Sequence, residues 1–179
     1  LRAAGRLPEA LAIYEETVRL YPGSSWAFIG RAEVLKVMGR LDEALGAYDE
    51  AARRFPRNPY TLAGRAEVLK RLGRLPEALA LYDEAVRAKP DHVVSRNGRA
   101  SVLRAMGRLP EALAAYNDAL RLDPTNPCAL AGHGEVLAGL RRRLEAEASK
   151  ARAPHRPDPP DSAPPPRRDA RSNYAAPRH

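Results

Sequence analysis

The chain has 179 residues, of which 30 are basic and 22 acidic, for a formal net charge of +8. This length suits one domain or a short array of repeats. The single cysteine, Cys128, excludes an internal disulfide and any multi-cysteine metal site. No apolar run approaches the ~18–20 residues that cross a bilayer, and no N-terminal signal segment is visible. We therefore expect no membrane contact and a cytoplasmic location.

Two short strings recur along the chain at a constant spacing of 34 residues. Gly-Arg-Leu-Pro-Glu-Ala-Leu, or a copy with Asp in place of Pro, begins at Gly5, Gly39, Gly73 and Gly107. Gly-Arg-Ala-Glu-Val-Leu-Lys, or a variant of it, begins at Gly30, Gly64, Gly98 and Gly132. Such self-similarity is typical of a repeat architecture, in which each unit is one supersecondary element.

Each unit predicts two helices. In the second half of a unit, apolar residues recur at helical spacing, as in Leu41, Ala44, Leu45, Tyr48 and Ala51. Prolines just past this helix end it, at Pro22, Pro56, Pro90 and Pro124. The first half also has helical periodicity and ends at the glycines that make the turn, Gly39, Gly73 and Gly107.

A 34-residue helix–turn–helix unit with a turn Gly followed by Ala, Tyr, Ala and Pro resembles the tetratricopeptide repeat. The resemblance implies an all-α fold, a right-handed solenoid. With the turn Gly at repeat position 15, residues 1–24 are the second helix of a truncated unit, and the complete units are 25–58, 59–92 and 93–126. Residues 127–153 form a degraded capping unit: a first helix and then a degraded second helix, where Arg141 and Lys150 replace the turn Gly and the Tyr.

The last part of the chain differs in composition. Residues 150–179 contain eight prolines, seven basic and three acidic residues, and no Leu, Ile, Val, Phe, Met or Trp. Such a segment does not bury enough apolar surface to offset the entropy of ordering, so we predict a disordered Pro/Arg-rich tail over residues 154–179.

Position 6 of the first helix is unfavourable for helix formation, and position 7 departs from the family pattern. Gly at position 6 costs about 1 kcal/mol of helix propensity per unit, and we expect a close approach of a neighbouring helix to offset it. Arg31, Arg65 and Arg99 stand at position 7, which is usually apolar. We expect their aliphatic portions to cover apolar surface and their guanidinium groups to be either exposed to water or paired with an acidic residue.

No catalytic constellation is present in the sequence, and we expect neither enzymatic activity nor a cofactor or metal. The histidines lack metal-ligand spacing, so His92 and His133 are interpreted as exposed or packed imidazoles. Cys128 near a helix N-terminus is interpreted as an inert, packed thiol rather than an activated one. The tyrosines at position 24 lie on the apolar stripe, which favours core packing over base stacking. They are Tyr14, Tyr48, Tyr82 and Tyr116.

We therefore look for the function in binding by surface residues. The first helix of each pair lines the concave side of such a stack, and the family resemblance implies that positions 2, 5, 9, 12 and 13 hold a peptide or helix of a partner protein. Trp26 and Tyr60 are candidate aromatic anchors, and the cations form a candidate basic row for acidic groups, unless they pair with glutamates on their own helix. The candidate residues are Trp26, Ile29, Glu33, Lys36, Tyr60, Glu67, Lys70, Arg71, Asn97, Ser101 and Arg104.

Some relatives clamp a C-terminal carboxylate with Lys at position 5 and Asn at position 9. Here position 5 holds Ile, Ala or Asn and position 9 holds Glu or Ser, so we predict that this clamp is absent.

Two other functions compete with the protein-binding scaffold. Arg141–Arg143 and the basic tail are suited to nucleic acid or another polyanion, but the tail lacks interleaved aromatic residues apart from Tyr174, so this alternative is less favoured. The chain also begins at Leu1, inside a unit, which favours a non-catalytic segment of a larger enzyme or regulator.

Overall fold

The computed structural model describes residues 6–152. This part of the chain is all α-helical and contains no strand. Its eight helices are α1 (Leu7–Leu20), α2 (Ser25–Val37), α3 (Leu41–Arg54), α4 (Pro59–Arg71), α5 (Leu75–Ala88), α6 (Val93–Ala105), α7 (Leu109–Leu122) and α8 (Pro127–Arg152). The predicted tail over residues 154–179 lies outside the described residues.

The turns between the paired helices have the predicted chemistry. Gly39, Gly73 and Gly107 adopt φ values of 77°, 78° and 75°, a left-handed conformation that costs other residues steric strain. After Gly39, the amide of Arg40 donates to the carbonyl of Leu35 at 3.0 Å, which satisfies a carbonyl at the end of α2. Each turn therefore stops one helix and starts the next within three residues.

The way that the helices pack gives the array its curvature. Each helix packs against the next one along the chain. The first helices of successive units, α2, α4, α6 and α8, also pack against one another, whereas the second helices, α1, α3, α5 and α7, make no such contacts within residues 6–152. Since the first helices are closer together, they line the inner, concave side of the solenoid.

A repeated contact joins each unit to the next, and it confirms the expectation for the position 6 glycines. A Cβ placed on Gly64 would lie 2.4 Å from the ring of Tyr48, and one on Gly98 would lie 2.2 Å from the ring of Tyr82. Both tyrosines are buried. The tyrosine ring of the preceding unit therefore occupies the space that a side chain at position 6 would need.

The position 7 arginines are paired, as expected. Arg65 contacts Asp49 at 2.7 Å and Arg99 contacts Asp83 at 2.6 Å, in each case across two units. Arg31 contacts Glu50 at 2.5 Å. The arginine side chains are 18–35% exposed, so these pairs are partly buried between helices.

The C-terminal end corrects one interpretation. No break separates a first helix from a degraded second helix: α8 runs without interruption from Pro127 to Arg152. The reason is local, because the turn Gly is replaced by Arg141 and the following residues are helix-forming Arg, Leu, Glu and Ala with no proline before Pro154.

Candidate functional site: the concave groove

The first helices α2, α4, α6 and α8 enclose one continuous groove with a volume of about 760 Å³. The structure brings together all the predicted site residues except Arg71. The guanidinium of Arg71 instead donates to the backbone carbonyl of Lys36 at 2.9 Å. Arg71 therefore ties α4 to α2 and does not line the groove.

One wall of the groove is an apolar ridge made by the position 2 residues Trp26, Tyr60, Val94 and Cys128. Trp26 is 65% exposed and Val94 62% exposed. The rings of Trp26 and Tyr60 lie with their centroids 5.3 Å apart, so the two candidate anchors form one aromatic surface. An exposed apolar ridge inside a groove is the kind of surface that a partner buries.

Cys128 lies on this ridge and is exposed, so the interpretation of a packed thiol is wrong. Its place at the second residue of α8 turns the side chain toward the groove, as it does for Val94 on α6. His92 is packed, in agreement with the sequence interpretation. It is buried against the edge of the Tyr60 ring, with centroids 4.8 Å apart, and its Nδ1 lies 2.6 Å from Ser95 Oγ.

The floor of the groove carries as many acidic as basic groups. Lys36 Nζ pairs with Glu33 at 2.7 Å, and Lys70 Nζ pairs with Glu67 at 2.7 Å. Arg104 pairs with Glu135 of α8. These three cations of the candidate basic row are therefore neutralised by neighbouring carboxylates. For Lys36 and Lys70 this is the helix-stabilising alternative that the i, i+3 spacing had left open.

Two of these glutamates also accept a hydrogen bond from a buried tyrosine. The hydroxyl of Tyr82 donates to Glu67 at 2.9 Å, and that of Tyr48 donates to Glu33. Burial raises the pKa of both tyrosines, and the adjacent carboxylates raise it further. Both hydroxyls therefore stay protonated and serve as fixed donors, which agrees with the predicted packing role of the position 24 tyrosines.

The third complete unit differs from the others in its uncharged polar groups. Asn97 and Ser101 take the places of the Ala and Glu in the unit before it. Asn97 Nδ2 donates to Asn126 Oδ1 at 2.8 Å, while Asn97 Oδ1 is buried and has no hydrogen-bond partner among the described residues. The side chain of Asn97 therefore lines the groove with one buried polar atom unsatisfied.

Sequence reasoning missed several lining residues, although the repeat register contains the signal. Val94 and Cys128 share position 2 with the predicted Trp26, and Glu135 shares position 9 with Glu33. The remaining lining residues lie at the groove bottom and the unit boundaries, and most of them are buried small or aromatic residues. They are Ala63, Gly64, Tyr82, His92, Gly98, Tyr116, Asn126, Ala131 and Gly132.

Two arginines of the cluster at 141–143 have partners within the chain. Arg141 pairs with Glu145 at 3.6 Å, and Arg143 donates to the carbonyl of Gly107 at 3.2 Å. Among residues 6–152, no group of His, Cys, Asp and Glu is arranged to hold a metal ion. None of the helices described there combines the length and the apolarity required to span a membrane.

Comparison with known proteins confirms the family resemblance. The model of the tetratricopeptide repeat family matches residues 29–93, 65–127 and 97–161. The matches together cover most of the chain, which therefore belongs to the tetratricopeptide repeat family. A search of curated protein sequences found no match.

Solved structures show the same fold. A thermophilic TPR protein of Thermus thermophilus is 25% identical, with a TM-score of 0.69 over 84% of this chain and 82% of that one. YrrB, described as a TPR protein with an unusual peptide-binding site, is 25% identical, with a TM-score of 0.61 over 78% and 72%. The first TPR of Spaghetti (RPAP3), solved with the HSP90 peptide SRMEEVD, is 23% identical, with a TM-score of 0.63 over 65% and 93%.

Proposed function

We propose that this chain is a non-enzymatic interaction module that holds a segment of a partner protein in the concave groove. The observation that supports it best is the apolar ridge. Trp26, Tyr60 and Val94 stand exposed on the inner side of the solenoid, where burial by a partner removes apolar surface from water. Peptide-bound relatives such as the RPAP3 domain support the same use of the fold by analogy.

The charges of the groove indicate which segment fits. Each cation on the floor already has a carboxylate partner, so an acidic segment would have to displace these pairs. We propose that the segment contributes apolar side chains to the ridge. Binding of this kind depends weakly on salt, because few unpaired charges meet across the interface.

The peptide bound by the RPAP3 domain ends in acidic residues. In this chain, the groove presents Glu33, Glu67 and Glu135 at position 9. These carboxylates occupy the cations of the floor, which are therefore not free to hold an acidic C-terminus. We propose that the bound segment is not held through a terminal carboxylate.

The experiment is a selection of binders from a displayed library of random peptides, followed by titration of a selected peptide by fluorescence anisotropy. Trp26→Ala and Val94→Ala remove ridge contacts, and each is expected to weaken binding about 10- to 30-fold, the effect of losing a hot-spot side chain. Tyr21→Ala is the matched control, since Tyr21 is 63% exposed and does not line the groove. Equal binding by all three variants would overturn the proposal.

A further inference from the structure

The segment that follows α8, outside the described part of the chain, carries prolines at a regular spacing. Pro154, Pro157 and Pro160 recur every third residue, and the same register continues through Ala163 to Pro166. Proline-rich segments favour the polyproline II helix, which has three residues per turn, so residues in this register share one face of such a helix. We call Pro154, Pro157, Pro160 and Pro166 the proline stripe.

The spacing of the proline stripe matches that of the apolar ridge. Each unit contributes one ridge residue, at position 2 of a first helix, and successive first helices pack directly against one another. The axes of packed helices lie about 8–10 Å apart. Three residues of a polyproline II helix advance by about 9 Å. Successive residues of the stripe register therefore meet successive units of the array.

The ridge also has the chemistry that proline side chains require. Trp26 and Tyr60 form one aromatic surface, and proline-rich segments dock on aromatic-lined grooves because their extended conformation costs little entropy to fix. The opening of the ridge does not depend on the ends of the array. Val94 lies in the third complete unit, with ridge residues of other units on both sides, and is 62% exposed.

The charges of the segment are compatible with the groove floor. Between residues 154 and 166 the charged side chains are Arg156, Asp158 and Asp161, and none of them occupies the register of the stripe. The cations of the floor are already paired with carboxylates. A nearly neutral segment that presents prolines to the ridge therefore displaces none of these pairs.

Distance decides which molecule supplies the segment. From Cys128 on the ridge to Arg152 at its end, α8 runs without interruption and rises by about 36 Å. An extended chain spans at most about 3.6 Å per residue. Pro160 lies eight residues past Arg152, within about 29 Å of the helix end. The first three stripe prolines therefore do not reach the ridge of their own molecule.

We propose that the proline stripe of one molecule binds the apolar ridge of a second copy of this chain. The inference rests on the proposed function, because the same ridge holds the partner segment there. Each molecule carries one ridge and one stripe, which are different surfaces, so the association is head-to-tail and continues from molecule to molecule. The stripe and a partner segment compete for the ridge, so self-association regulates access to the groove.

The first test is fluorescence anisotropy of a labelled synthetic peptide of residues 153–168, titrated with the 179-residue chain. We expect saturable binding that Val94→Ala weakens about 10-fold, as for a hot-spot side chain. Tyr21→Ala is the control outside the groove and is expected to leave binding unchanged.

Two altered peptides of identical composition test the register of the stripe. Pro157→Ala with Pro160→Ala removes two stripe prolines and is expected to weaken binding about 10-fold or more. Pro159→Ala with Pro165→Ala removes two prolines from another face of the polyproline II helix and is expected to bind like the unaltered peptide.

The second test is sedimentation equilibrium of the 179-residue chain over a range of micromolar concentrations. The average mass is expected to rise with concentration above the 19.6 kDa of the monomer. Val94→Glu blocks the ridge and Pro157→Ala/Pro160→Ala disrupts the stripe, so each variant alone is expected to stay close to the monomer mass. A mixture of the two keeps one intact surface of each kind and is expected to reach a dimer and to stop there. Circular dichroism checks that each variant is folded.

The proposal is overturned if the peptide of residues 153–168 does not bind, if the two altered peptides bind equally well, or if the chain stays monomeric. In each of these cases, a library-selected peptide whose binding still depends on Trp26 leaves the proposed function intact. If neither that peptide nor the one of residues 153–168 binds, the proposed function fails as well.

Discussion

Replacing Gly98 with alanine tests the joint between neighbouring units. A Cβ at this position would lie 2.2 Å from Cε1 and Cζ of Tyr82, well inside van der Waals contact. Tyr82 is 2% exposed, and its hydroxyl donates to Glu67 at 2.9 Å, so the ring has no free space to move into without breaking that bond.

The sign of the effect follows from three magnitudes. Gly→Ala inside a helix normally stabilises by about 1 kcal/mol. Overpacking a filled core costs about 1–3 kcal/mol, and a lost hydrogen bond to a charged group costs about 1.5–3 kcal/mol. We therefore expect Gly98→Ala to lower the free energy of unfolding by about 2–4 kcal/mol.

The assay is urea unfolding followed by far-UV circular dichroism, with Gly46→Ala as the matched control. Gly46 lies inside α3 and has nothing within 4 Å of its Cβ position, so this variant is expected to gain up to about 1 kcal/mol of stability. A Gly98→Ala variant as stable as Gly46→Ala would refute the reasoning. Tyr82→Leu in the Gly98→Ala background is expected to cost less than the sum of the two single changes.

Three further predictions concern protonation, helix capping and ligand choice. Burial, followed by the charge of Lys89, lowers the pKa of His92 below its usual 6.5, against a smaller opposite effect of Asp91. The folded state thus favours the neutral ring, so this contribution to stability is full above pH 6.5 and falls as the pH drops below it. The melting temperature of the unaltered chain is therefore expected to fall more between about pH 7.5 and about pH 5 than that of His92→Gln. Equal falls in the two proteins would contradict this prediction. Asn58 caps α4 by accepting from the amides of Tyr60 and Thr61, so Asn58→Ala is expected to cost about 1 kcal/mol in urea unfolding, with Asn58→Asp close to the unaltered chain. The peptide SRMEEVD is expected to bind no better as the free acid than as the C-terminal amide; tight binding that amidation abolishes would show a carboxylate clamp.

The repeat made most of the fold predictable from the sequence. A spacing of 34 residues, a turn glycine and a proline after each second helix define the helix pairs, and the structure has them. The glycines at position 6 predicted a close neighbour, and the structure identifies it as the tyrosine of the preceding unit. These features were accessible because they repeat, so that each copy supports the interpretation of the others.

The features that do not repeat were harder to predict. The uninterrupted course of α8 depends on the absence of a helix stop after Leu140, whereas the interpretation relied on the two-helix pattern of the other units. The exposure of Cys128 depends on its register on the ridge, which an isolated thiol does not indicate. For Lys36 and Lys70 the spacing left open whether they are free or paired, and only side-chain positions decide this.

The contact between tyrosine and glycine has a consequence for how such an array changes length. Tyr48 meets Gly64, and Tyr82 meets Gly98, through the same atoms in the same places. Duplicating or deleting one whole unit of 34 residues therefore keeps this tyrosine–glycine contact at every joint. The groove is able to lengthen or shorten in whole steps while residues such as Val94 and Asn97 vary independently, so that growth of the scaffold and change of its specificity are separate events.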